Sequence, residues 1–444
     1  MAYTAPTLAQ AKAALAARLN DVDQVHWSTV ELGIYLTEAL RVWSAWTSHW
    51  RESAALATVQ AQAFYDLSTA LPTLRPLTVT NWQAVTQIEY MLQEPPTPTA
   101  WTGTAQFTLA QVSQALQRRR DTFLQLTGAV LTRAVTAYAA SASGKLALDE
   151  SVLLVHRAAW RPTAGASNQF LQALRRTDEW SGDHFRRTWV AQGVPIGYST
   201  AGTPPLQLQL MPPPLDAGEL DLISVSRGEQ FTDPTIEALL GVPDDWAWVV
   251  VYGALADLMG GDGMQADPLR ADYCEKRWEQ GVAMAQSASS VVSARISGVP
   301  VSIGSLADAD SFSPMWQLLS GTPLRVMLAG QNLLATWPPA NADAIVVDLD
   351  VVRNAPIPVA DADVLQVGAD LYDTVLDIAQ CSATFKEGGG QNQQAQGLLQ
   401  RAASVAGITL AIQQASQPSR TGMLEQTRND TEAAPRSLDP VEIP

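Results

Sequence analysis

The sequence predicts an α+β fold, mainly helical: a bundle of helices and helical hairpins with small antiparallel β insertions, in which one strand–helical-hairpin module occurs twice. Three observations predict it. Helical spacing of apolar residues dominates the long stretches. Short runs that alternate with period two are closed at both ends by proline, as in Leu206-Gln-Leu-Gln-Leu210 between Pro204-Pro205 and Pro212–Pro214. Above all, one passage recurs, and such self-similarity governs the reading of the rest. Met211-Pro-Pro-Pro214 leads to the apolar run Leu220–Arg227, then to Trp248–Leu258 and a break at Gly260, Gly261 and Gly263. Trp337-Pro-Pro339 leads to Ala344–Arg353, then to Asp370–Ile378 and a break at Gly388–Gly390. Tyr252, Leu255, Asp257 and Leu258 align with Tyr372, Val375, Asp377 and Ile378.

Element by element, Thr7 caps a first helix carrying Leu8, Leu15 and Leu19, and Asn20–Asp23 ends it. Ser28 with Glu31 forms a capping box for a second helix, with Leu32, Leu36, Ala39, Trp43 and Trp46 at helical spacing. Residues 53–92 alternate helix-like and strand-like patches, and Glu94–Pro98 reads as a stiff linker. Thr108 starts a long helix running past Val130, whose roughly 30 residues would span about 45 Å. Leu146–Ala159 reads as one strand and Gln169–Leu174 as a helix. Gly193–Tyr198 and Leu206–Leu210, with Glu219–Arg227, make a small sheet. A helical hairpin follows over 244–290, with Asp267 and Pro268 starting its second arm. Residues 291–366 form a second β-rich segment and 370–414 a second hairpin. The implied domains are 1–145, 146–290 and 291–415, followed by a polar tail, 416–444, whose composition predicts no fold of its own.

Composition narrows the function. At 444 residues the chain is long enough for two or three domains. Charged residues make up 16%, below the usual value of about 25%, which suits a surface buried against other subunits. The net charge of −16 argues against a sequence-reading nucleic-acid binder, yet an acidic wall lets DNA slide past. Met1–Pro6 lacks the basic start and apolar core of a signal peptide, and no apolar run approaches the roughly 20 residues of a membrane span. Cys274 and Cys381, in corresponding parts of the two hairpins, read as small buried apolar residues.

No catalytic signature emerges. The four histidines, His26, His49, His156 and His184, are not spaced as metal ligands. Gly260–Gly263 resembles a calcium loop only superficially, and no phosphate-binding loop, dinucleotide fingerprint or nucleophile elbow is present. Neither a catalytic residue nor a cofactor is therefore predicted. The residues singled out are candidates for partner contact: Trp27, Trp43 and Trp46 in a tryptophan-rich stretch, the basic cluster Arg118, Arg119 and Arg120, and Arg420, Arg428 and Arg436 of the tail.

Several stretches resemble the head-to-tail adaptor (connector, neck) proteins of tailed bacteriophages. These are Thr7–Gln10, Leu19–Asp21, Trp27-Ser28 with Glu31–Leu40, Trp189–Ser199 and Leu206–Pro214. Tyr252–Leu258 with Ala271–Trp278, and Leu371–Asp373 with Ala383–Gly389, are also similar. Each motif is short and structural. The resemblance implies a virion protein assembled in the host cytoplasm: a ring of about twelve copies under the portal protein. That ring would continue the DNA channel and dock tail, nozzle or fibre proteins, without a membrane. It also implies that the tail orders on the portal or on a neighbouring subunit. Two alternatives stay open: an outer tail or fibre-attachment protein, and a glycan-binding or glycan-cleaving tail protein using an aromatic shelf.

Overall fold

The structure, a computed structural model, describes residues 4–71, 74, 77–93, 106–139, 143–162, 172–177, 192–202, 205–231, 237–261, 266–313 and 315–408. The chain opens with α1 (Leu8–Arg18), α2 (Thr29–Thr47), β1 (Arg51–Ala57), β2 (Phe64–Asp66) and the short α3 (Leu67–Ala70). Then come α4 (Asn81–Met91), α5 (Leu109–Thr127), β3 (Thr132–Tyr138), β4 (Lys145–Ala147), β5 (Val152–Pro162), β6 (Gln172–Ala173) and β7 (Arg175–Arg176). Next are β8 (Gly197–Ala201), β9 (Gln207–Met211), β10 (Gly218–Ser226) and the hairpin α6 (Ala247–Met259) and α7 (Pro268–Ser287). The last stretch holds β11 (Val291–Ile296), β12 (Val299–Ser305), α8 (Leu306–Phe312), β13 (Arg325–Ala329), β14 (Leu333–Trp337), β15 (Val346–Val352), α9 (Ala369–Thr384) and α10 (Gly389–Val405).

This corrects the mainly helical fold class. The molecule is mixed, with 42% helix and 26% strand, and its largest sheet is a curled one of seven strands rather than a small insertion. The reason lies in the strands themselves. Edge strands such as β1 (Arg-Glu-Ser-Ala-Ala-Leu-Ala) bury little, and although their burial alternates along the strand their residue types do not alternate between apolar and polar. Moreover β1 pairs with β15, far away in sequence, which periodicity cannot reveal. Gln172–Ala173, expected in a helix, is strand β6; Gln169–Phe170 lies outside the described residues, as do the linker 94–98 and the tail 416–444. The strand expected over 146–159 is interrupted between Ala147 and Val152. The helix begun by Thr108 ends at Thr127, where Gly128 takes a left-handed conformation (φ 57°) and its N–H caps Leu124 O.

Two units share one topology, and one is nested in the other. The seven-stranded sheet runs β1-β15-β11-β12-β13-β14-β2. The inner strands run β3-β10-β5-β6 and β7-β8-β9-β4, with β6 and β7 separated only by Leu174. Position for position, the two orders coincide. Every pairing is antiparallel in both except one, β12 with β13 and β7 with β8, which is parallel in both. The outer unit is α1, α2, β1 and β2 resumed by β11–β15, α9 and α10; the inner unit, α4–α7 with β3–β10, lies between β2 and β11.

Local chemistry repeats with the topology. Thr7 and Gln10 form a reciprocal capping box on α1, as Thr80 and Gln83 do on α4. Thr7 bridges Val364 and Thr80 bridges Leu239, both antiparallel and both shortly before the hairpin of their own unit. Asp267 accepts from Arg270 N and Pro268 occupies the first turn of α7, as the sequence predicts. Each sheet wraps its own core, with Val326, Leu334, Val347 and Leu349 in the outer one and Val155, Trp160, Leu208 and Leu220 in the inner one. A third, larger core joins the helices of both units, with α2 along α9 and α5 along α6.

Candidate partner interface

The tryptophans proposed as contact residues belong to that helical core. Trp27 is 4% exposed, Trp43 3% and Trp46 9%. Trp27 Nε1 donates to Ala383 O at 3.1 Å, with Lys386 Nζ 5.3 Å from its ring centroid. They therefore form no outward aromatic shelf of the kind a glycan-binding protein uses.

Arg118, Arg119 and Arg120 diverge, because consecutive residues on a helix point about 100° apart. Arg120 is buried and donates to Glu229 O at 2.6 Å. Arg119 reaches Asp257 (2.5 Å) and Glu275 (2.7 Å) and lies 5.1 Å from the Trp278 ring centroid. Only Arg118 is largely exposed, and it also pairs with Asp257, at 2.6 Å. Burial pushes the Asp257 carboxyl up, but hydrogen bonds from Arg119 and Arg118 outweigh it and hold the group below its usual range. Its counterpart in the other hairpin, Asp377, is held by Arg18 (2.8 Å) and Arg401 (2.5 Å). Arg420, Arg428 and Arg436 lie outside the described residues.

The seam between the units is polar at its centre. Glu38 of α2 is buried and accepts from Tyr252 Oη of α6 (3.0 Å), Ser382 Oγ of α9 (2.7 Å) and Gln87 Nε2 of α4. Burial raises its pKa, partly offset by the bond from Ser382 and the charge of Arg277. Arg277, itself buried, stacks 4.4 Å from the Trp248 ring centroid and 5.2 Å from that of Tyr252. Glu31 pairs with Lys386 at 2.9 Å and accepts from Tyr35 Oη at 3.0 Å. Asp245 accepts from Ser44 Oγ (2.5 Å) and from Ala355 N (3.1 Å), tying the inner unit to the outer one. Glu38 and Asp245 join the two units, the Glu31–Lys386 pair lies within the outer one, and all of these side chains are buried rather than displayed to a partner.

What each unit does display is a pair of loops. Gly193 N donates to Pro213 O (2.9 Å), Leu215 N to Gly193 O (3.3 Å) and Ile196 N to Met211 O (2.9 Å). In the outer unit Gly321 N donates to Pro339 O (2.9 Å), Asn341 N to Gly321 O (3.0 Å) and Leu324 N to Trp337 O (2.9 Å). The Met211–Pro212 and Trp337–Pro338 peptide bonds are both cis. At corresponding places in this hydrogen-bonded framework, Ile196 is exposed in one unit (53%) and Leu324 in the other (69%). Val194, Leu215 and Leu319 are exposed beside them in sequence or across the bonded loop. A signal for these loops was present in the sequence: Gly193-Val-Pro-Ile196 and Gly321-Thr-Pro-Leu324 share a Gly-x-Pro-apolar pattern that precedes each repeated Pro-Pro turn.

Among the described residues, no group of three or more His, Cys, Asp or Glu is placed to hold a metal ion. No described helix is long and apolar enough to cross a membrane. Cys274 and Cys381 are buried free thiols, and burial pushes Cys381 up to about 11, so neither is a poised nucleophile. No protein-family model matches the chain, and no curated protein matches it.

Proposed function

We propose that the chain is a structural virion subunit, a head-to-tail adaptor of a tailed bacteriophage. It assembles into a ring of about twelve copies between portal and tail, continues the DNA channel and docks tail components. The observation that carries this reading is the repeated display. One sheet-and-hairpin scaffold is built twice, and each copy has the same bonded loop, with an exposed apolar side chain where it enters a strand. Exposed apolar side chains on a rigid framework are what an assembly surface needs. In the helical layer Asp257, Asp377 and Glu38 are engaged in ion pairs and hydrogen bonds within the subunit. The resemblance of the N-terminal, sheet and hairpin motifs to adaptor proteins supports the same reading.

The test is the mass of the purified protein in solution, alone and mixed with the portal of the same phage. A ring of about twelve subunits formed on the portal supports the adaptor. A stable trimer, or no portal binding, overturns it and favours a fibre-attachment role. The double variant Ile196→Asp and Leu324→Asp should keep the circular dichroism of the parent and lose ring formation. Unimpaired rings would remove the loops from the interface.

A further inference from the structure

A recess of about 610 Å³ opens where the inner sheet meets α8 of the outer unit. It lies where the sheet changes from antiparallel pairing (β5 with β6) to parallel pairing (β7 with β8). Arg157 on β5 is buried and grips Asp310 of α8 with Nε (2.6 Å) and a terminal nitrogen (2.9 Å). Asp310 also accepts from Trp316 Nε1 at 2.9 Å. Asp310, the one carboxylate among the described residues lining the recess, is therefore fully engaged.

Among the described residues, the remaining charged groups there are all cationic or able to become so. Arg175 and Arg176 of β7 are exposed and line the recess together with His156 of β5. Among the described residues, none of the three takes part in an ion pair, although the chain as a whole carries −16. Tyr198 of β8 closes the floor. Burial, and to a lesser degree the neighbouring Arg176 and Arg157, hold the His156 imidazole below its ordinary pKa.

We propose that this recess binds phosphate oxyanions. Planar guanidinium forks match phosphate oxygens two at a time, and a phosphate monoester near neutral pH carries close to two negative charges, enough to offset two unpaired arginines. A singly charged carboxylate offsets half as much. The volume admits a nucleotide-sized group. The phosphate has two sources, a free small molecule or the backbone of a nucleic acid: both offer oxygens to the guanidinium forks, but a backbone diester carries one negative charge, so two neighbouring backbone phosphates supply the charge that one free monoester does.

Calorimetric titration of the full-length protein with inorganic phosphate, and separately with a short single-stranded oligonucleotide, tests this. Arg175→Gln with Arg176→Gln should weaken binding by about tenfold or more for each arginine lost. Arg325→Gln, at an arginine stacked on Trp337, should leave binding unchanged. His156→Gln gives a second, milder loss through the same recess. Binding of phosphate but not of the oligonucleotide identifies a free ligand. Oligonucleotide binding displaced by phosphate identifies a backbone contact. No heat with either probe, or equal affinity in the double variant and the parent, overturns the assignment.

Discussion

Asp257 and Asp377 stand at corresponding places in the two hairpins, and each is paired with two arginines: consecutive Arg118 and Arg119 of α5 for one, Arg18 of α1 and Arg401 of α10 for the other. The alignment of these aspartates was legible in the sequence; their arginines were not, since Arg18 and Arg401 are brought together only by packing. The two arginines on Asp257 differ in worth. Arg119 is mostly buried, binds two carboxylates and stacks on Trp278, so Arg119→Ala should cost about 2–3 kcal/mol, leaving Asp257 half-buried and short of a partner. Arg118 is largely exposed, and Arg118→Ala should cost no more than about 0.5 kcal/mol. Urea denaturation of both variants checks the order; equal losses would refute it. Glu38 makes a second prediction. Its folded pKa lies above the ordinary value of about 4.3, so folding favours the protonated form. That contribution is complete below about pH 4.3 and is lost as pH rises through the folded value. Glu38→Gln removes the titration. The unfolding free energy of the parent should therefore fall relative to the variant as pH rises from about 4 toward neutrality. Parallel pH profiles would show that Glu38 titrates normally.

At the scale of elements, the hairpins were the most legible part and the sheets the least. Cap residues (Thr7, Ser28, Thr108 and Asp267) and helical spacing placed the starts of α1, α2, α5 and α7 closely, because both signals are local. Strands β1, β3 and β6 are short or poorly buried, and they are recognisable as strands only through partners far along the chain. The hairpin α6–α7 also shows a requirement that spacing alone hides. A Cβ on Gly281 would lie 2.4 Å from Val249 Cγ2, and one on Gly253 would lie 2.6 Å from Trp278 Cε3. The helices touch through these glycines. Gly281→Ala should therefore destabilise by about 1–3 kcal/mol through overpacking, despite the better helix propensity of alanine. Gly397, in α10, has nothing within 4 Å of its missing Cβ. Gly397→Ala should stabilise by up to about 1 kcal/mol. Thermal melts of the two variants should shift in opposite directions, and a shared direction would mean that α6–α7 separates to admit a methyl group.

For the whole molecule, the repeat seen in sequence is the visible part of a larger one. The Pro-Pro turns and hairpins recur at similar spacing and so were readable, whereas the outer unit takes β1 and β2 from residues 51–66, ahead of the entire inner unit. Modules read consecutively along the chain hide this nesting. It has a consequence for folding. Residues 77–290 hold every strand and helix of the inner unit, so its seven-position strand order can form from one continuous segment. Residues 291–408 lack both edge strands of the outer sheet, together with α1 and α2, which pack on α9. They would expose the apolar face of α9 and leave β15 and β14 each with one edge unpaired. The fragment 77–290 should be soluble and unfold cooperatively, whereas 291–408 should aggregate or stay unfolded until residues 4–66 are supplied. Amide dispersion in NMR spectra of each fragment, and of 291–408 mixed with 4–66, decides the matter. If 291–408 folds alone, β1 and β2 are accessories to the outer sheet. If it folds only with 4–66, the outer unit has to wait during synthesis for its final strands, with the inner unit complete before the outer one closes around it.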